Sequence, residues 1–303
     1  MSTSPTDLAR GEAVDLGHAW VQHLADSRGV RVIFIKGPAL HRYKLRNPRQ
    51  STDIDVLAEP AAFEDLCHAF IEAGWRERPS TFIGSRTSVH SRTFIHDDWP
   101  CDVDMHAFYP GFLAPPATVF EALWRDRVAM DFAHRDCAVP SRLASALILA
   151  LHSLRGTTTQ ARHQQELDQL LTLDLNSEER AALASLARKT GCAATLEPVL
   201  TRLRVNVPIP DHERTTTAAI RWQQRVASGS NGAYFWIDAF RRGDARERLA
   251  IARHAVWPTR AELLLARQDV ADTPFGLAKG RLERWGRGIR SLPQALRAIG
   301  KHR

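Results

Sequence analysis

The sequence predicts an α+β module followed by a helical module, and three observations carry that prediction. Before about residue 140, short apolar runs alternate with segments of helical period, whereas beyond it the pattern is helical almost throughout. "CDVDMHAFY" (101–109) alternates at the period of a strand, with Asp102, Asp104 and His106 on one face and Val103, Met105 and Ala107 on the other. "DIDVLA" (53–58) does the same, so Asp53 and Asp55 share one side while Ile54 and Val56 take the opposite one. At 303 residues and 44% hydrophobic content the chain suffices for one large or two modest domains, here 1–139 and 140–303.

The elements follow in order. Residues 7–27 place Leu8, Leu16, Trp20 and Leu24 near helical spacing, and Gly29 stops that helix. "VRVIFI" (30–35) reads as a buried strand, which Gly37-Pro38 ends while opening a short helix through about Tyr43. "DIDVLA" is the second strand. Pro60 starts a helix with Phe63, Leu66, Cys67, Phe70 and Ile71 on one side, closed by Gly74. Residues 75–84 and 91–97 read as extended, 101–109 as a strand, 116–126 as a helix and "VAMDFAHRDCAV" as a hairpin. The second half offers helices near 141–155, 160–173, 177–190, 195–204, 213–228, 232–253 and 259–268, then a basic amphipathic segment. Its aromatic residues Trp222, Tyr234, Phe235, Trp236 and Phe240 are expected to pack a helical core.

Composition excludes several classes. The start of the chain is polar, without the basic and apolar regions of a secretory signal, and no stretch is apolar enough to span a bilayer, so the expected location is the cytoplasm. Cys67, Cys101, Cys137 and Cys192 lie far apart with no C-x-x-C pair, which suggests core thiols instead of zinc ligands or disulfides. The net charge of +7 is uneven: residues 241–303 hold fifteen Lys and Arg against six Asp and Glu. Such a segment could meet nucleic acid, anionic lipid or an acidic substrate, or form a solvated helical face.

The acids pose the chemical question. Two carboxylates on one strand face repel unless a cation, a basic partner or open water relieves them. A solvent-facing edge strand would relieve them by water. A hard divalent cation would do so by coordination, and a third acid from the neighbouring strand would complete an oxygen cluster suited to magnesium. Transfer of a nucleotide from a triphosphate is an in-line displacement at the α-phosphorus, and two such ions about 4 Å apart hold the entering and leaving oxygens. A glycine turn at a helix start lets backbone N–H groups approach phosphate. Pro38 has no N–H to offer, which moves the grip toward other amides and Lys36.

"FIKGPAL", then Tyr43, then Arg49, then "DIDVL", and later "DVDMH" resemble, in that order, the pattern of the uncharacterised nucleotidyltransferase family of the polymerase-beta-like superfamily. That pattern is a hydrophobic strand ending in Lys-Gly, Ala-Leu shortly after, Arg four residues before the first Asp of a D-x-D strand, and a later strand with Asp, a hydrophobic residue and His. The resemblance is close over roughly residues 30–110 and looser beyond, through "ALHSL", a helix around Asp168 and a Trp-Pro near the end. It implies a mixed sheet with flanking helices and a Mg2+-dependent transfer of a nucleoside monophosphate, AMP from ATP before other NTPs. The acceptor would be a hydroxyl or phosphate on a small molecule, sugar, peptide or protein, and pyrophosphate would be released.

Under that resemblance Asp53, Asp55 and Asp104 are the metal-binding and catalytic carboxylates, with Asp102 as the alternative third acid, and Lys36, Gly37 and Arg49 contact the nucleotide. His106 is either an orienting neighbour of the acids or a structural histidine. Tyr43 is expected to pack the short helix, and His152, Arg155 and Asp168 are the candidates from the helical half. Two other readings stay open: a non-catalytic relative that binds a nucleotide or a protein, and a nucleic-acid-binding protein acting through the basic C-terminal segment. The second has no need of three clustered acids.

Overall fold

A computed structural model describes residues 8–156 and 160–301. The chain divides into two compact units: residues 1–78, 90–154 and 161–214 form the first, and 79–89, 155–160 and 215–303 the second.

The first unit is built on a five-stranded mixed sheet. Its elements in chain order are α1 (Arg10–Ser27), β1 (Val32–Phe34), α2 (Gly37–Arg42), β2 (Asp53–Ala58), a 3₁₀ turn (Pro60–Ala62) leading into α3 (Phe63–Glu72), and β3 (Arg76–Glu77). The second unit takes the next element, α4 (Phe82–Thr87). The first unit resumes with β4 (Ser91–Ile95), β5 (Asp102–His106), α5 (Pro116–Arg125), β6 (Val128–Phe132) and β7 (Arg135–Val139). Helices α6 (Arg142–Leu154), α7 (Ala161–Leu170), α8 (Ser177–Lys189), α9 (Glu197–Arg202) and α10 (Asp211–Arg214) complete it.

The strand order is β1-β2-β5-β4-β3. Only β2 and β5 run parallel; the other neighbours are antiparallel. Strand alternation turns Ile54, Val56, Ala58, Val103 and Met105 into the main core, together with Val32, Phe34, Leu66, Phe70 and Phe94. The acid-bearing positions therefore face the opposite side of the sheet. Hairpin β6–β7 turns through Ala133 and His134, both at positive φ, as a two-residue turn requires.

Some expectations are redrawn by packing. On α1 the buried stripe is Ala13, Val14, Gly17, Val21 and Ala25, while Leu16 is exposed and Trp20 and Leu24 are partly buried at the core's margin. Gly17 lets the helix lie close to the sheet, since a Cβ there would lie 2.3 Å from Ile54 Cδ1. Ile71, expected on the apolar side of α3, is exposed. Residues 75–84 contain only the two-residue β3 before α4 begins, because Thr81 caps a helix by accepting from the Gly84 N–H.

The second unit comprises α4 with α11 (Thr217–Ala227), α12 (Gly232–Arg242), α13 (Ala245–Val256), α14 (Arg260–Ala266) and α15 (Pro274–Lys301). The single helix expected over 232–253 is two helices. Asp244 makes a reciprocal capping box with Glu247, which starts α13 afresh after Gly243. Among the described residues no helix is long and apolar enough to cross a membrane.

Candidate functional site

The site is assembled by the register of two strands. Pairing of β2 with β5 sets Asp53 opposite Asp102 and Asp55 opposite Asp104. In-register residues of a parallel pair point to one face, so all four carboxylates leave the same side of the sheet. Donor oxygens of Asp53, Asp55 and Asp104 lie within 4.8 Å of one another. Asp102 is drawn off by Arg78, whose Nη2 lies 2.6 Å from Asp102 Oδ2.

Asp55 is the buried centre of the group, 4% exposed. Lys36 Nζ lies 2.5 Å from its Oδ1, and His106 Nε2 is 3.1 Å from the same oxygen. Lys36 reaches it because the backbone of β1 continues alongside, with the Ile35 N–H donating to Asp55 C=O at 2.9 Å. Lys36 itself sits at φ 63°, ψ −135°, a strained conformation for a non-glycine residue, and Gly37 follows at φ 55°. Burial alone would raise the Asp55 pKa, but the Lys36 ammonium and the His106 hydrogen bond outweigh it and hold the carboxyl well below the usual range.

The other two acids are pushed the opposite way. Burial and the neighbouring Asp55 charge raise the pKa of Asp53 and of Asp104, although Thr93 Oγ1 donates to Asp104 Oδ1 at 2.5 Å. Lys36 opposes the charge of the three carboxylates and Arg49 acts on Asp53 as well, yet the Asp53 and Asp104 pKa values stay raised, so the cluster is left short of positive charge. His106 Nδ1, on the far side of the ring from Asp55, is buried without a hydrogen-bond partner. An oxygen-only donor set with this charge deficit fits a hard divalent ion of the magnesium type.

Beside the acids lies a polar cavity of about 100 Å³, whose lining includes Lys36, Gly37, Asp53 and Asp55 together with Arg46, Arg49, His152 and Arg162. Arg46 is buried; its Nη2 donates to the Gly37 carbonyl at 2.7 Å and approaches Ser51 Oγ at 3.4 Å. Burial, then the charges of Arg49 and Arg162, lower its pKa to about 10 against the partial help of Glu166. Glu166, on α7, is the carboxylate paired with Arg49, at 3.7 Å. It also clusters with His152 and His163, their donor atoms within 4.8 Å of each other.

The structure thus brings Lys36, Gly37, Arg49, Asp53, Asp55 and Asp104 together in one unit, with His152 in the cavity wall. Asp168 is exposed and takes a hydrogen bond from Gln164. Tyr43 packs as expected against the core and donates its hydroxyl to the Pro140 carbonyl at 3.0 Å. Arg46 and Arg162 are site residues that sequence reasoning did not select. Arg46 stands three positions before Arg49 in the loop after α2, and that spacing is the one available signal; Arg162 carries none. The four cysteines are free and buried, and burial raises their pKa values to about 11 or 12.

The model of the family described as uncharacterised nucleotidyltransferase matches residues 21–205. The chain belongs to that family. The match takes in every element that carries the acid cluster and the cavity residues, from β1 through α7. Among curated proteins none matches this nucleotidyltransferase. Solved structures similar to it include the antibiotic-resistance factor ANT(2'')-Ia in solution, at 15% identity and a TM-score of 0.39, covering 62% of this chain and 95% of that one. Another is an antigenic nucleotidyltransferase-like protein from Paracoccidioides brasiliensis, at 13% identity and a TM-score of 0.38, covering 67% of this chain and 96% of that one. At these identities neither bears on what this nucleotidyltransferase acts upon.

Proposed function

We propose that the protein is a magnesium-dependent nucleotidyltransferase that moves a nucleoside monophosphate, AMP from ATP first among the NTPs, onto a hydroxyl or phosphate acceptor. The observation that carries the reading is the convergence of Asp53, Asp55 and Asp104 from two in-register parallel strands onto one point. In the reaction the acceptor oxygen attacks the α-phosphorus, the bond from that phosphorus to the bridging oxygen breaks, and pyrophosphate leaves with the electron pair. Bound at the three carboxylates, magnesium would neutralise the charge that develops on the transferring phosphoryl group.

The chain's own residues have separable tasks. Asp53, Asp55 and Asp104 hold the cation, and Asp104 receives the proton of an acceptor hydroxyl. His106 orients Asp55 through the 3.1 Å hydrogen bond, and Thr93 orients Asp104. Pro38 removes one amide from the turn, so the guanidinium groups of Arg46, Arg49 and Arg162 supply the positive wall for the β- and γ-phosphates. A cavity of about 100 Å³ suits a phosphoryl group, leaving the base and sugar outside it.

A second reading is favoured by the Lys36–Asp55 pair: an ammonium standing among the acids would serve a relative that binds nucleotide without turnover. Calorimetry of ATP binding with magnesium, paired with an assay for pyrophosphate release over a panel of acceptors, separates the two. Pyrophosphate release that needs both metal and Asp53 supports transfer. Binding with no release under any acceptor supports the second reading.

A further inference from the structure

The second unit carries a surface that the transfer reaction does not use. Helix α15 packs inward through Gly280, Ala295, Ala298 and Ile299. Gly280 lets it approach closely, since a Cβ there would meet Val270 and Leu263 at 3.0–3.3 Å. On another face, Phe275, Leu282, Ile289 and Leu296 recur every seven residues and are 82%, 62%, 70% and 53% exposed. At 100° per residue they form one strip along the helix, joined by Leu292 and by the half-buried Trp285. Exposed Val256 and Trp257 of the same unit extend the apolar area, the Trp257 and Trp285 rings lying 6.2 Å apart.

Beside that strip runs a basic one. Lys279, Arg290, Arg297 and Lys301 fall within a narrow arc of the helix, with Arg287 next to them, and all five are exposed. Helix α15 holds seven Lys and Arg residues against the single acid Glu283. Glu283 is already engaged by Arg267 at 2.9 Å and lies 4.0 Å from Lys279. Among the described residues no carboxylate lies within ion-pairing distance of Arg287, Arg290, Arg297 or Lys301.

We propose that α15 is an interfacial helix that docks the protein on a membrane surface containing anionic lipid. A helix with Phe, Leu, Ile and Trp on one face and arginine and lysine along the flank seats its apolar strip at the headgroup boundary, while the cations meet lipid phosphates. Trp257 suits the same boundary, where an apolar ring and a polar N–H are both satisfied, whereas Trp285 adds its ring alone because its N–H donates to the Val256 carbonyl at 2.7 Å. Pairing with a second copy would set like-charged flanks together, and nucleic acid would leave the apolar strip without a partner. The helix lies on the surface and does not cross it, which agrees with the lack of a membrane-spanning helix among the described residues.

The full chain, mixed with vesicles of phosphatidylcholine alone or of phosphatidylcholine with phosphatidylglycerol, tests this by co-sedimentation. Binding is expected to the anionic vesicles, with a blue shift of tryptophan emission, and about tenfold weaker binding or less to the neutral ones. Leu282→Asn with Ile289→Asn, and separately Arg290→Gln with Arg297→Gln, should each weaken it about tenfold while circular dichroism stays unchanged. No preference for anionic vesicles overturns the proposal. So does binding that survives the Leu282 and Ile289 changes, which would be adsorption by charge alone. A dimer that those changes convert to monomer without vesicle binding points to a second copy. Salt-sensitive binding to a DNA or RNA oligonucleotide without vesicle binding points to nucleic acid, and capture of an acidic helical peptide without vesicle binding points to a protein partner; each likewise overturns it.

Discussion

Lys36 Nζ lies 2.5 Å from Asp55 Oδ1, with both side chains largely buried. The pair ties the strained end of β1 to the middle of β2 and supplies the acid cluster with its nearest positive charge. Removing one partner of a buried ion pair leaves the other uncompensated, at a cost of about 3 kcal/mol. Lys36→Met is therefore expected to lower the urea midpoint of the metal-free protein. Added magnesium should recover part of the loss, because an ion that binds only the folded state stabilises it. An unchanged midpoint, or one indifferent to magnesium, would show that Lys36 does not balance the acids.

The arginine wall should show itself in nucleotide affinity more than in turnover. Arg49→Gln and Arg162→Gln each remove a guanidinium from the cavity while leaving the buried Arg46–Gly37 contact in place. Each is expected to raise KM for the triphosphate about tenfold, as for loss of one charge-assisted hydrogen bond, with a smaller change in kcat. Equal loss in kcat and kcat/KM would instead place these groups in the transition state.

A pH effect on stability follows from His18. Burial, only partly offset by the hydrogen bond to the Val14 carbonyl, lowers its pKa from 6.5 to about 4. Above pH 6.5 the imidazole is neutral in folded and unfolded chains and contributes no pH dependence. Between 6.5 and about 4 the unfolded chain takes up a proton that the fold refuses, so stability falls as pH falls, by about 3 kcal/mol in all. Urea titrations at pH 7 and pH 5 span part of that window and should show a loss of about 2 kcal/mol in the wild type and a reduced loss in His18→Phe. Phenylalanine keeps a ring against Phe34 and Phe132.

The site was legible wherever it is local. Asp53 and Asp55 share a face because strands alternate, and "FIKGPAL" reads as strand, turn and short helix because Gly37 and Pro38 punctuate it. Asp104 and Asp102 could not be told apart from spacing, since both face one way; the approach of Asp104 to Asp53 and Asp55, and the pairing of Asp102 with Arg78, depend on contacts made only in the fold. Arg46 and Arg162 stand 116 positions apart in the chain and meet at the cavity only after folding, so no periodicity announces them. The same limit applies to α1, where tertiary packing selected Val14, Gly17 and Val21 over Leu16. The two helices at 232–256 were legible in principle, since Gly243 and the Asp244–Glu247 capping pair interrupt a pattern that has only Ala245 as an apolar residue between Phe240 and Leu249.

The decisive comparison is metal-dependent pyrophosphate release by Asp53→Asn and Asp104→Asn, measured beside wild type over a magnesium titration. Both carboxyls have raised pKa values in the metal-free protein through burial and the charge of Asp55, so neutral asparagine relieves repulsion there. The expected result is a urea midpoint equal to or above that of wild type, together with a loss of turnover on the order of a hundredfold or more. Wild-type turnover with unaltered magnesium dependence in either variant would contradict the account.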